Sequence, residues 1–172
     1  QPGVTRDRNF AAADWAGRHF FIVDTGGIIE GSDEPLEKAV RDQALAAVAE
    51  SDVILLLVDG QQGVHPLDQR LAEILRKSQK PVLLVANKID NLPNDQRHHD
   101  FWSLGMGEPL PVSSLSGKGS GDLLDQVVDA LPEVTTVDEA DEESIRVAVV
   151  GKPNVGKSSF VNRLIGEDRV VV

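Results

Sequence analysis

Apolar residues fall along this chain in short blocks with two alternating periods. Val53-Ile54-Leu55-Leu56-Leu57-Val58 is an unbroken apolar run, the pattern of a strand covered on both faces. Val82 to Ala86 and Ile145-Arg146-Val147-Ala148-Val149-Val150 read the same way, the second rich in β-branched residues. Between such runs the spacing widens to the helical period. Glu37 to Glu50 puts Val40, Ala44, Ala47 and Val48 on one face. Leu67 to Lys80 does so with Leu67, Leu71, Ile74 and Leu75, and Gly121 to Leu131 with Leu123, Leu124, Val127 and Val128. A weaker helix is predicted near Asn94 to Leu104, a short strand at Leu110 to Val112, and a last helix from Lys157 to Leu164. At the front, Asn9 to Trp15 and Arg18 to Asp24 flank Ala16-Gly17 as a hairpin, and its second arm is apolar enough for an interior strand. Strand and helix alternate throughout, which predicts an α/β fold of βα units around a mostly parallel sheet, sandwiched between helical layers.

One stretch breaks the pattern. From Pro132 to Ser144 there is no apolar stripe, and Asp138 to Glu143 place five carboxylates in six positions, which reads as a linker. The chain thus divides into a body over 1–132, an acidic linker over 133–144, and a strand, turn and helix over 145–172 that complete the sheet. At 172 residues one core is expected. There are no cysteines, which excludes disulfide frameworks and thiolate metal sites. The longest apolar run is far too short to span a bilayer, so a soluble, cytoplasmic protein with no membrane partner is expected. The first residue is Gln1, with no charged-then-apolar leader, and the chain reads as an excised or processed segment. Lys and Arg number 17 against 28 Asp and Glu, a formal charge of −11, which disfavours a nucleic-acid surface spread over this domain.

The chemistry sits at the turns. Gly151-Lys152-Pro153-Asn154-Val155-Gly156-Lys157-Ser158 matches GxxxxGK(S/T) in full, directly after a predicted strand and at the start of a helix. The amides of such a loop, through Ser159, converge on phosphates, and the helix N-terminus adds the positive end of its dipole. Lys157 would reach the β- and γ-phosphates and the Ser158 hydroxyl would ligate Mg²⁺. Asp24-Thr25-Gly26-Gly27 closes an apolar strand. There the Asp24 carboxylate can hold Mg²⁺ through water and the Gly27 N–H can meet the γ-phosphate. Taken alone this run is an ordinary turn, and it gains meaning from the phosphate loop. Asn87-Lys88-Ile89-Asp90 follows another strand, and the Asp90 carboxylate can accept both the ring N–H and the exocyclic amine of guanine, donors that adenine lacks there. Ser113-Ser114-Leu115 can bring a backbone N–H to the guanine carbonyl, and Thr5 is the candidate second protein ligand for Mg²⁺. His98-His99-Asp100 is better explained as a polar helix face than as a metal site, and Trp15 and Trp102 are expected to pack.

These runs resemble the tandem-G-domain ribosome-assembly GTPases of the Der (EngA) family over nearly the whole chain. Pro2-Gly3-Val4-Thr5-Arg6-Asp7-Arg8, Asp24-Thr25-Gly26-Gly27-Ile28, Asn87-Lys88-Ile89-Asp90 and Ser113-Ser114-Leu115-Ser116-Gly117-Lys118-Gly119 look like switch I through the last base-binding motif of a first G domain. Gly151 to Ser159 and Asn162-Arg163-Leu164-Ile165-Gly166-Glu167 look like the opening of a second. Many relatives carry Ala where this chain has Ser114, but a backbone contact survives that change. The resemblance implies a Ras-like P-loop GTPase sandwich, here with the P-loop strand at the C-terminus as in a circular permutation opened in switch I. A linker of about 13 residues reaches roughly 40 Å, enough for the two parts to meet in one monomer, and a swapped dimer is the alternative. Implied ligands are GTP or GDP and Mg²⁺ held by Ser158, Thr5 and Asp24. Lys157, Thr5, Gly27 and Asn154 would act in catalysis. Ile28 stands where Ras-type enzymes carry a water-orienting Gln, so hydrolysis is expected to be slow, and in such relatives a potassium ion near the residue matching Asn154 supplies positive charge. A cut in switch I would favour GDP over GTP, so a binder without turnover and an inert structural piece are the competing expectations. The large ribosomal subunit is the partner of the full-length family, not expected of this segment alone.

Overall fold

The structure, a computed structural model, describes residues 9–25, 35–91, 94–133 and 144–166. Thr5, Gly27, Ile28 and the acidic core of the predicted linker lie outside them. The elements are β1 (Asn9–Trp15), β2 (Arg18–Asp24), α1 (Leu36–Glu50), β3 (Val53–Asp59), α2 (Pro66–Arg76), β4 (Val82–Asn87), a 3-10 helix (Arg97–Leu104), β5 (Leu110–Pro111), α3 (Ser120–Ala130), β6 (Arg146–Val150) and α4 (Lys157–Ile165). The strands form one six-stranded sheet in the order β1-β2-β6-β3-β4-β5. β1 is antiparallel to β2, and every other pairing is parallel.

The last strand in sequence is central in space. Val147, Ala148, Val149 and Val150 are all essentially inaccessible, flanked by β2 through the pair Ile22↔Val147 and by β3 through Ile54↔Ala148. Their side chains alternate between two cores, as the period of a strand requires. Val147 and Val149 join Val53, Leu55 and Leu57 against α3 and α4, where Leu123, Val127, Phe160 and Val161 are buried. Ala148 and Val150 join Ile54, Leu56 and Val58 against α1 and α2, with Val40, Ala44, Leu71 and Leu75, and against Phe101 and Leu104 of the 3-10 helix. Burying each valine contributes about 1.5 to 3 kcal/mol, which drives residues 146–150 into the gap between β2 and β3.

Local chemistry sets the element ends. His65 and Asp68 form a reciprocal cap on α2, the His65 side chain accepting from Leu67 N and Asp68 accepting from His65 N, with Pro66 at the first helical position. The predicted helix to Lys80 stops at Arg76 instead, where the last turn tightens: Lys77 N–H donates to Ile74 O at 3.2 Å and Ser78 N–H to Leu75 O at 3.0 Å. The predicted helix over Asn94 to Leu104 is a 3-10 segment from Arg97. Trp15 packs at the edge of the core and donates its indole N–H to Asp125 at 2.7 Å. Trp102 corrects the sequence expectation: it is 53% exposed on that 3-10 helix. Among the described residues no helix is long and apolar enough to cross a membrane.

Candidate nucleotide-binding site

The parallel strands β2, β6, β3 and β4 all point their carboxyl ends to one edge of the sheet, where α/β folds of this kind bind ligands. Asp24, Gly151, Asp59 and Asn87 lie at those ends. The loop from Gly151 to Gly156 runs between β6 and α4 in close contact with its neighbours. A Cβ at Gly151 would stand 2.4 Å from the Leu57 carbonyl oxygen, and one at Gly156 would stand 2.8 Å from Asn87 Nδ2. Gly156 also has φ +92°, a conformation that side chains rarely adopt. These two glycines let the loop lie against the sheet edge, just ahead of the N-terminus of α4.

Lys157 opens α4 with its side chain buried and its ammonium donating to Gly151 O at 2.9 Å and Lys152 O at 3.0 Å. The charge is therefore curled over the loop, at the place where the helix dipole is positive. Next to it the Ser158 hydroxyl donates to Asp24 Oδ2 at 2.9 Å. The Thr25 hydroxyl donates to Val149 O at 2.6 Å and fastens the end of β2 to β6. Ser158 and Asp24 thus bring two hard oxygen donors to one point, the donor chemistry that Mg²⁺ takes. Among the described residues no group of three or more His, Cys, Asp and Glu could hold a metal. Mg²⁺ on a nucleotide needs fewer protein ligands, since phosphates and waters fill its octahedron.

The Asn87 to Asp90 and Ser113 to Leu115 runs close on the same loop. Asn87 is buried, and its Nδ2 donates to Val155 O at 2.8 Å while its Oδ1 accepts from Ser114 N at 3.0 Å and Ser114 Oγ at 2.8 Å. One side chain therefore joins the phosphate loop to the Ser113–Leu115 turn. Ser114's amide, one of those expected at a guanine carbonyl, is directed to Asn87 here. Lys88, at φ +66°, donates to Asp59 Oδ2 at 2.7 Å and to Asn154 O at 2.9 Å. Asp90 is exposed, its Oδ1 accepting from Ser113 Oγ at 2.6 Å. Lys118 Nζ donates to the Asp90 carbonyl at 3.1 Å. Asp24, Asn87, Lys88, Asp90, Ser113, Ser114, Leu115 and the loop from Gly151 to Ser159 share this edge. His98 and His99 stack edge to face on the 3-10 helix. A cleft of about 390 Å³ is lined by Pro35 and by residues of α1 and α2, none of them a predicted nucleotide ligand.

Asp59 was not among the residues singled out from sequence. It ends an all-apolar strand just as Asp24 does, and that parallel was the available signal. Burial alone would raise its carboxyl, yet the Lys88 ammonium and the amides of Gln61 and Gln62 hold it below its ordinary value of 3.8. A carboxyl depressed in the folded state contributes stability that is present above its unfolded value and is lost as pH falls through the folded one. Asp59→Asn is expected to flatten the fall of stability below pH 3.8, read as the urea midpoint across an acid pH series. An unchanged slope would mean that the Lys88 contact carries no net linkage.

Known proteins resemble this chain in sequence and in fold. A family model described as 50S ribosome-binding GTPase matches residues 1–88 and 146–172. GTPase Der of Gemmatimonas aurantiaca is 54% identical over 172 residues, all of this chain and 38% of that protein. GTPase Der of Moorella thermoacetica is 51% identical over 171 residues, 99% of this chain and 39% of that protein. The chain thus spans roughly two fifths of the length of the curated relatives it matches. Among solved structures, Era of Aquifex aeolicus bound to GDP and AlF₄⁻ superposes with a TM-score of 0.59 at 23% identity, covering 80% of this chain and 49% of that one. Era in complex with MgGDPNP and a segment of 16S ribosomal RNA gives 0.58 at 24%, covering 82% and 50%. These two show a shared fold.

Proposed function

The chain belongs to the 50S ribosome-binding GTPase family, alongside GTPase Der, and from that premise we propose that it binds guanine nucleotide with Mg²⁺ and hydrolyses GTP slowly. Asn87 supports this function most directly, because its amide ties the phosphate loop at Val155 to the base-binding turn at Ser114 within one chain. We infer that residues 145–172 complete a site whose base half comes from the body, with the P-loop strand last in a permuted order. Lys157 and the loop amides would bind and orient the phosphates. Ser158, Asp24 and Thr5 would hold Mg²⁺, which when bound neutralises phosphate charge. The Gly27 amide would meet the γ-phosphate, and Asp90 with the Ser113–Leu115 turn would select guanine. Asn154, exposed at φ +65°, is the side chain we assign to a potassium ion.

Both parts of the chain align colinearly with a longer protein, and this favours one second reading. In the full-length context the two motif sets belong to neighbouring G domains, and the present pairing is made within a monomer or across a swapped dimer. Ribosome association would then belong to the whole cytoplasmic protein, since the −11 charge gives this segment no broad phosphate-binding surface. The deciding experiment is a titration with fluorescent GDP in Mg²⁺, competed with ATP, followed by phosphate release from GTP in potassium against sodium. GDP binding that ATP fails to displace, with slow release that is faster in potassium and loses that response in Asn154→Ala, is expected. Displacement by ATP would overturn the guanine assignment, and equal rates in both salts would overturn the potassium role.

A further inference from the structure

Arg163 lies on α4, the helix that begins at Lys157, and its guanidinium reaches across to the Ser113–Leu115 turn. Its side chain is exposed, yet both arms are engaged: Nε donates to Ser114 O at 3.1 Å and Nη2 donates to Leu115 O. Gly117 lies beneath the guanidinium, where an added Cβ would stand 3.3 Å from Arg163 Nε. An isolated exposed arginine contributes little. A planar fork that reaches two successive carbonyls is different, because it fixes the orientation of two peptide planes at once.

That orientation carries through to the base-selecting carboxylate. In a trans peptide the C=O and N–H point in opposite directions. The Leu115–Ser116 plane offers its oxygen to Arg163, and on its other side the Ser116 N–H donates to Ser113 Oγ at 3.2 Å. The same hydroxyl donates to Asp90 Oδ1 at 2.6 Å. The Ser114–Leu115 plane is held the same way through the Ser114 oxygen, which aims the Leu115 N–H away from the guanidinium. A continuous path of hydrogen bonds therefore runs from a charged group on the phosphate-loop helix to Asp90.

We propose that Arg163 is a positioning residue for base selection, holding the Ser114 and Leu115 carbonyls so that the turn's amides and the Asp90 carboxylate keep the geometry that distinguishes guanine. The inference rests on the guanine-nucleotide function proposed above. Its test is a competition titration of GDP and IDP in the wild type, Arg163→Ala, Arg163→Lys and Ser158→Ala. IDP lacks only the exocyclic amine that Asp90 would accept from, so the GDP to IDP ratio reads the base contact apart from the phosphates. In Arg163→Ala the ratio is expected to shrink about three- to tenfold, with IDP affinity changed less than GDP affinity. Arg163→Lys keeps charge and stem but cannot span two carbonyls, so its ratio should fall between the two and serve as the test if the alanine variant does not fold. Ser158→Ala, a change on the phosphate side, should weaken both nucleotides by one common factor. A wild-type ratio in both Arg163 variants, whether or not overall affinity falls, would overturn the proposal. A wild type that binds neither nucleotide would instead remove the guanine function itself, and that outcome is visible before any variant is made.

Discussion

Replacing Lys157 with alanine is expected to lower GDP affinity by at least about 100-fold, which is 2.7 kcal/mol or more. The ammonium is buried at the mouth of α4 and held by two loop carbonyls, Gly151 O and Lys152 O. A phosphate oxygen is a stronger partner for that charge than a carbonyl in a site with reduced solvent screening. The attraction to phosphate is felt only when the nucleotide is present, so it is read from the shift that GDP produces in each protein's own unfolding midpoint. GDP should then raise the midpoint of the wild type by mass action and leave that of the variant in place. Thermal unfolding with and without GDP, alongside displacement of fluorescent GDP, checks both parts. If the variant binds GDP as the wild type does, residues 151–158 are not the phosphate site of this chain, and the proposed completion of the body by its C-terminal segment fails.

Much of this arrangement was legible in the chain itself. The run Val147 to Val150, apolar on successive residues, has no solvent face and must be interior, and its strand lies between β2 and β3. The full-length β3 run was equally plain, since every residue from Val53 to Asp59 is buried. The motif turns were readable because phosphate and guanine recognition demand particular residues at fixed offsets from a strand end. Contacts made at long range by common residues were not readable. Asp59 matters through Lys88, 29 positions away, and nothing in the local sequence marks that pair. Arg163 matters through two backbone oxygens 48 and 49 positions away, and backbone acceptors leave no trace in residue identity. Trp102 was expected to pack because it is large and apolar, but its place on the outward side of a 3-10 helix overrode that tendency. In each case local pattern set the element, and the side-chain partner was decided by topology.

Asp90→Asn should exchange the preferred base. An ionised carboxylate is an acceptor at both oxygens and so suits guanine, which presents two donors, the ring N–H and the exocyclic amine. Asp90 is exposed at the end of the Asn87 turn, with one oxygen already accepting from Ser113 Oγ at 2.6 Å. In the asparagine variant the Ser113 hydroxyl would continue to claim the side-chain oxygen, which turns the NH₂ group toward the base. A donor then faces the guanine amine, and GDP affinity should drop by about 100-fold as two donors are left opposed. Xanthine carries a carbonyl in place of that amine, so the same NH₂ group finds an acceptor and XDP should gain affinity by a comparable factor. Competition between GDP and XDP for the wild type and the variant measures the crossing directly. Loss of GDP binding without gain of XDP would mean that the Asp90 side chain supports the turn through Ser113 without facing the base edge. Unchanged GDP binding would remove Asp90 from base recognition and with it the physical basis for preferring guanine over adenine at this site.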